Sequence, residues 1–236
     1  MNTKRQTLVE VGVVLAALWA PLLVASLRSR GMQPQSTDPM SDPIGTMITR
    51  ATGTAILWLV VRRGGEDIAR FGVGRPRWPH VAMAVVLVAA TLAITVAVSA
   101  GHDLLLRPHW RELPVPTVGF PGPWHHYWLF VPISVAFQEF LMRSYLVTRF
   151  VDLWRSPSFA VLASSLLYAL WHLYLGWDAA LTTFFFGLLY GWTLLRTGSV
   201  WPALGAHIAM NLVALSGLSS LIIRAILVFA SLPTMP

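Results

Sequence analysis

The sequence predicts an all-α, polytopic membrane protein of about eight transmembrane helices that surround an intramembrane polar cavity. Of its 236 residues, 56% are hydrophobic and only 11% are charged, whereas a soluble domain carries about 25% charged residues. The mean hydropathy is +0.63. Apolar runs long enough to cross a bilayer recur along the chain, and a single run satisfies its backbone hydrogen bonds in a bilayer only as a helix.

The apolar runs follow one another as a single domain over residues 1–236, with no internal repeat. The first run follows Lys4 and Arg5, as the core of a signal peptide would. It is long enough to span the bilayer and lacks an Ala-x-Ala end, so we expect a retained helix. The runs cover residues 8–27, 44–61, 81–99, 128–147, 159–175, 179–195, 200–215 and 218–232.

The charges between the runs predict the topology. With the N-terminus in the cytoplasm, the inner segments hold ten Lys and Arg residues and the outer loops hold four. This ratio follows the positive-inside rule. We therefore expect both termini on the cytoplasmic side of a bacterial cytoplasmic membrane. Arg50, near the start of the second run, is expected to extend its head group to the membrane interface.

Composition also limits the chemistry and the partners. The chain has no cysteine, which excludes disulfides, thiolate metal sites and cysteine nucleophiles. Its net charge of +7 comes from scattered arginines without a basic patch, so we expect no nucleic-acid partner. The expected partners are membrane lipid and a membrane-associated peptide or protein, and the sequence carries no signal for an oligomer.

Few strongly polar side chains remain inside the runs, and each is costly at bilayer depth. Glu139 and Arg143 are four residues apart, so they share a helical face and can pair. Taken singly, these polar side chains have structural explanations: Glu139 and Arg143 as an ion pair, His172 as a packed histidine, and His207 with Asn211 as a hydrogen bond between helices. Their occurrence on three runs instead predicts that they meet in one cavity. They are Gln138, Glu139, Arg143, His172, His207 and Asn211, while Arg224 in the last run has no assigned role.

Two hydrolytic sites can be built from these residues. In the first, Glu139, His172 and His207 bind Zn²⁺ and leave one coordination position for water. In the second, a carboxylate and one histidine activate water without a metal, and the other histidine forms an oxyanion hole with Asn211. No His-Glu-x-x-His helix is present, so the zinc site rests on ligand types alone. A small proton-coupled transporter is a rival, although no inverted repeat supports it.

Three short motifs resemble the CPBP family of intramembrane endopeptidases, the CAAX-prenyl proteases and bacteriocin-processing enzymes, also called the Abi family. The family's Glu-Glu-x-x-x-Arg corresponds to residues 138–143, with Gln138 in first place. Its Phe-x-x-x-His corresponds to Tyr168 through His172, and its His-x-x-x-Asn/Asp to His207 through Asn211. The segments 187–192 and 195–203 resemble the family's lead-in to the third motif. The resemblance covers a protease-like core of about residues 128–215.

The resemblance implies hydrolysis of a peptide bond at the membrane. By position, it implies that Gln138 and His172 activate water. It also implies that His207 and Asn211 stabilise the oxyanion and that Glu139 and Arg143 support the site. A prenylated substrate is implied by the family alone, and processing of another peptide or membrane protein is an equal expectation.

Position 138 departs from the family pattern. Gln has the shape of Glu, but an amide cannot accept a proton from water. The substitution is explained in one of three ways. It was introduced to stop cleavage, or it is natural and Glu139 is the base, although one step along a helix turns a side chain by about 100°. In the third explanation, the chain is a catalytically inactive relative that binds a peptide or partner, as an immunity protein does.

Overall fold

Helices account for every element in the part of the chain that the computed structural model describes, residues 3–29, 43–106 and 127–215. The all-α prediction is confirmed for these residues. Outside these residues lie the predicted eighth run at 218–232, with Arg224, and most of the polar segments 28–45 and 100–125 that separate the apolar runs. The α-helices are α1 (Lys4–Val14), α2 (Ala20–Ser29), α3 (Pro43–Arg63), α4 (Trp78–Leu106), α5 (Tyr127–Glu139), α6 (Thr148–Trp154), α7 (Pro157–Trp171), α8 (Trp177–Thr197) and α9 (Trp201–Leu215). Two π-helical segments (Leu15–Trp19 and Phe140–Val147) and two 3₁₀ segments (Ile68–Phe71 and His172–Leu175) complete the described chain.

Five of the described helical stretches are long and apolar enough to cross a membrane. They are Lys4–Arg28, Ile44–Arg63, Trp78–Ser99, Pro157–Leu175 and Trp177–Thr197. These stretches coincide with the first, second, third, fifth and sixth predicted runs. The fourth run is helical and carries Glu139 and Arg143 but is not among these five stretches, and the described part of the seventh is a helix of 15 residues. The protein is thus a helical membrane protein, and the count of eight spans stays a prediction.

The helix that carries the first motif changes its winding at that motif. The α-helix α5 ends at Glu139, and the next eight residues are π-helical. A π-helical turn shifts the backbone hydrogen bonds by one residue and is frequent at functional sites. The hydroxyl of Ser164 on α7 donates a hydrogen bond to the carbonyl oxygen of Met142 in this segment. The segment is therefore held against α7, directly after the buried carboxylate of Glu139.

The contacts between helices bring the motif segments to the same region of the bundle. Helix α5 packs against α3 and α9, while α7 packs against α8 and the π-helical segment 140–147. Two glycines one turn apart on α8 allow the approach to α7: a Cβ atom at Gly187 would lie 2.7 Å from Cβ of Ser165, and one at Gly191 would lie 2.9 Å from a methyl carbon of Val161. Small residues at this spacing are typical of close helix packing in membranes. The α7–α8 contact thereby fixes the end of α7, where His172 lies.

A cluster of charges joins α1, the connector after α3 and the end of the motif helix. Arg149 is only 1% exposed. Its Nε atom donates a hydrogen bond to Oε1 of Glu10 over 2.9 Å, and its guanidinium also pairs with Glu66. The hydroxyl of Tyr145 donates to the same Glu10 oxygen over 2.8 Å. A buried guanidinium needs such partners, because removing one leaves a charge without compensation.

The same cluster changes the ionisation of Glu66, which lies in the connector outside the membrane-spanning helices. Burial alone would raise the pKa of this carboxyl. The hydrogen bonds and positive charges of Arg149 and Arg70 outweigh that effect, so the pKa of Glu66 lies below its ordinary value. The carboxylate is therefore more readily ionised in the folded chain than in an unfolded one.

Candidate functional site

Glu139 forms the centre of the candidate site. Its side chain is completely buried. Oε1 lies 2.7 Å from Nδ1 of His207 on α9, and Oε2 lies 3.5 Å from Nε of Arg143. Both carboxylate oxygens therefore face a partner, so Glu139 links the first motif to the third. The predicted pairing of Glu139 with Arg143 on one helical face is present.

Tyr168 connects the remaining motif residues. Its hydroxyl lies 3.3 Å from Nε2 of His207. The guanidinium carbon of Arg143 lies 4.0 Å from the centroid of its ring, and the ring meets His172 edge to face with centroids 4.5 Å apart. A single aromatic side chain thus contacts a residue of every motif. Tyr168 occupies the position at which the family motif has phenylalanine. This difference was the one feature of the sequence that pointed to Tyr168 as a site residue.

His172 has a defined proton position. It follows α7 as the first residue of a 3₁₀ segment, and its Nδ1 atom lies 2.8 Å from the carbonyl oxygen of Tyr168. A carbonyl oxygen only accepts hydrogen bonds, so Nδ1 carries a proton. In the neutral imidazole, Nε2 then presents a lone pair and can accept a hydrogen bond at the site.

Gln138 and Asn211 are neighbours of cluster residues along their helices: Gln138 directly precedes Glu139, and Asn211 follows His207 by one turn. Gln138 is buried, and its Oε1 atom has no hydrogen-bond partner within the described part of the chain. A buried acceptor without a partner costs about 1–3 kcal/mol, so this oxygen is suited to bind a water or a substrate group. Asn211 is half-buried on α9, four residues after His207 and therefore on the same face.

The arrangement of the three predicted zinc ligands does not fit a metal ion. Among the described residues, no three His, Cys, Asp or Glu side chains are placed to hold one. Oε1 of Glu139 is taken by Nδ1 of His207, and Nδ1 of His172 is taken by a backbone carbonyl. A zinc site would require two or three donor atoms to turn towards one point. The geometry therefore gives the zinc scheme no support.

The described part of this helical membrane protein holds a buried carboxylate–histidine–arginine cluster, and one comparison with known families bears on it. Residues 120–213 match the family model described as type II CAAX prenyl endopeptidase Rce1-like. The matched residues contain all three motifs, so this part of the chain is similar to Rce1-like endopeptidases, consistent with the CPBP family. Comparisons with curated proteins and with solved structures returned no match.

Proposed function

We propose that the protein is an intramembrane endopeptidase that hydrolyses a peptide bond in a membrane-associated protein or peptide. The observation that carries the proposal is the hydrogen bond between Glu139 and His207, which joins two motifs of the Rce1-like domain inside a buried polar cluster. The proposal places this site in a bacterial cytoplasmic membrane, with both chain termini in the cytoplasm. Prenylated tails are the first substrates to test, because the matching family is described by them.

In the proposed reaction, the residue at position 138 and His172 position and activate the attacking water. Nε2 of His172 would accept a hydrogen bond from the water and so orient it, while a carboxylate at position 138 would take the one proton that the attacking water loses and deliver it to the nitrogen of the leaving amine. The Gln138 amide of this chain can hold the water by a hydrogen bond but cannot take its proton.

Glu139 is proposed to position His207 rather than to act as the base. Its Oε1 atom is already hydrogen-bonded to His207, and its Oε2 atom, which makes no hydrogen bond among the described residues, lies 3.5 Å from the positive charge of Arg143, which lowers its basicity. The contact between Oε1 and Nδ1 orients the imidazole, and Nε2 of His207, when it carries a proton, would donate a hydrogen bond to the oxyanion of the tetrahedral intermediate. Asn211, one turn further on α9, is the second proposed donor.

Gln138 supports a second candidate function. If the amide is the natural residue, the chain retains a site that can hold a peptide and has lost the group that activates water. It would then act as a binding or immunity protein. The two candidates differ in one measurable property, which is whether a carboxylate at position 138 restores cleavage.

The test compares the chain with its Gln138→Glu variant on a fluorogenic farnesylated peptide that ends in a CAAX-type sequence. We expect the variant to cleave at least about 10²-fold faster, because a general base contributes a factor of about 10²–10⁴. The matched control adds His172→Ala to Gln138→Glu, and this double variant must lose the gain. If Gln138→Glu binds the peptide but does not cleave it, the binding function is correct and the protease proposal is wrong.

A further inference from the structure

Arg50 lies inside the bundle rather than at the membrane interface. It is on α3, two turns from the start of that helix, and its side chain is only 8% exposed. The guanidinium carbon lies 4.6 Å from the ring centroid of Trp171 and 5.1 Å from that of Phe137. The expectation that its head group reaches the interface is therefore wrong, because two aromatic faces hold the charge within the protein.

The charge of Arg50 has no anionic partner within the described part of the chain. Each of the two other buried arginines has one: Arg143 pairs with Glu139, and Arg149 pairs with Glu10. Contacts with aromatic faces contribute about 0.5–2 kcal/mol, while a charge at bilayer depth costs more than that. The guanidinium thus has the capacity to bind an anion.

The position of Arg50 places such an anion beside the candidate site. Its two aromatic contacts, Phe137 and Trp171, directly precede Gln138 and His172 in the sequence, and the two aromatic rings meet edge to face with centroids 6.1 Å apart. The Trp171 ring also lies 5.5 Å from the His172 ring. One aromatic side chain therefore contacts both the guanidinium and the proposed water-activating histidine.

A glycine on α3 allows this helix to pack closely against α5 near Arg50. Gly53 lies three residues after Arg50 and faces the Phe137 ring, where any Cβ atom would clash with the ring. The absence of a side chain lets α3 come close to α5 at this level. Arg50 is thereby directed towards the first-motif helix.

We propose that Arg50 binds a carboxylate of the substrate and so selects the peptides that enter the site. The planar guanidinium fork matches a carboxylate through two parallel hydrogen bonds, and the match is strongest where water is excluded. A peptide supplies this group either as its own C-terminus or as an Asp or Glu side chain near the scissile bond. The inference rests on the proposed function, since it assumes that a peptide occupies the site.

The test measures binding rather than cleavage, with the chain reconstituted in lipid nanodiscs. Three fluorescent farnesylated peptides of equal length are compared by anisotropy: one with a free C-terminus, one with a C-terminal amide, and the amide with one Asp side chain. We expect one of the two carboxylate peptides to bind at least about tenfold more tightly than the neutral amide, as a charge-assisted hydrogen bond predicts. The peptide that shows the preference identifies the source of the carboxylate.

Substitutions on α3 test whether Arg50 causes the preference for a carboxylate peptide. Arg50→Gln must abolish it, and Arg50→Lys must retain only part of it, because an ammonium lacks the bidentate fork. Arg62→Gln is the matched control: Arg62 also lies over an aromatic ring, that of Trp58, but at the exposed end of the same helix. This variant must bind all three peptides as the parent does. Monodisperse elution and an unchanged Tm verify that each variant is folded.

Three results would overturn the inference: equal binding of the three peptides, no binding of any, or a preference that survives in Arg50→Gln. A fourth contrary result would be that Arg50→Gln loses co-purified phospholipid while its peptide preference is unchanged. Arg50 would then bind a lipid phosphate instead of a peptide carboxylate. Cleavage by the Gln138→Glu variant reports separately on the proposed function. Equal cleavage of the acid and amide peptides would refute the role of Arg50 and support the proposed peptidase function. A carboxylate preference in binding without any cleavage would support the role of Arg50 and refute the proposed peptidase function.

Discussion

Oε1 of Glu139 lies 2.7 Å from Nδ1 of His207, although the two residues are 68 positions apart in the chain. The contact joins the end of α5 to the middle of α9 and fixes which nitrogen of His207 faces the carboxylate. Arg143 supplies a positive charge to the other carboxylate oxygen. The three side chains form a unit in which each charge has a partner, and such a unit orients the imidazole for its role at the site.

Glu139→Gln tests this orienting role. In the Gln138→Glu background, the change keeps the shape of the side chain and replaces the negative charge beside Nδ1 of His207 with a neutral amide. We expect kcat for peptide cleavage to fall by about 10²-fold or more with little change in KM, as for loss of an interaction made only in the transition state. Steady-state kinetics separate the two constants. An unchanged kcat would show that Glu139 does not act through His207.

Tyr168→Phe tests whether the site uses the hydroxyl or only the ring of Tyr168. Phenylalanine keeps the contacts of the ring with Arg143 and His172, at 4.0 and 4.5 Å, and removes the longer contact with His207. We expect cleavage by the Gln138→Glu variant to stay within about threefold, since a net hydrogen bond contributes about 1 kcal/mol. Tyr168→Leu removes the ring and is expected to lower cleavage by at least about tenfold. Equal losses in both variants would instead assign the role to the hydroxyl.

Chelation tests the metal-free scheme. Because the proposed ligands Glu139, His172 and His207 do not converge on one point among the described residues, we expect 1,10-phenanthroline or EDTA to leave cleavage by the Gln138→Glu variant unchanged. Elemental analysis of the purified protein is expected to show no stoichiometric zinc. Loss of activity on chelation and its recovery with Zn²⁺ would show that the side chains rearrange around a metal.

Local patterns in the sequence were sufficient to predict the helical membrane fold and the pairing of Glu139 with Arg143. Both depend on short-range periodicity, which is visible in a single chain. The order of the motifs also identified the family that the match over residues 120–213 supports. Tyr168 contacts both imidazoles, while the cavity in which the motif residues were expected to meet stays a prediction.

Features that depend on long-range packing could not be predicted in this way. The buried position of Arg50 results from the rings of Phe137 and Trp171, which belong to two other helices. The π-helical winding after Glu139 is stabilised by a hydrogen bond from Ser164 on α7. Residues this distant in sequence leave no spacing pattern, so only the folded chain reveals that they meet.

Gly187→Ala tests the packing that fixes the end of α7. A Cβ atom at this position would lie 2.7 Å from Cβ and 2.9 Å from Cα of Ser165, so the two helices must move apart. We expect a destabilisation of about 1–3 kcal/mol, the usual cost of overpacking, seen as a lower Tm by intrinsic tryptophan fluorescence. Gly12→Ala is the control, because nothing lies within 4 Å of its added Cβ. Equal Tm values for the two variants would contradict the close α7–α8 approach.

The stability of the protein is expected to depend on pH through Glu66. Its folded-state pKa lies below the ordinary value of 4.5 because Arg149 and Arg70 favour the carboxylate despite burial. The resulting stabilisation is fully present above pH 4.5 and is lost as the pH falls through the lower folded-state pKa, where the folded carboxylate takes up a proton. We therefore expect Tm to fall as the pH is lowered below 4.5, and to fall less steeply in Glu66→Gln, which has no carboxylate to protonate. Parallel curves for the two proteins would show that other acidic groups govern the loss, and that the contact between Glu66 and Arg149 adds little to the folded state.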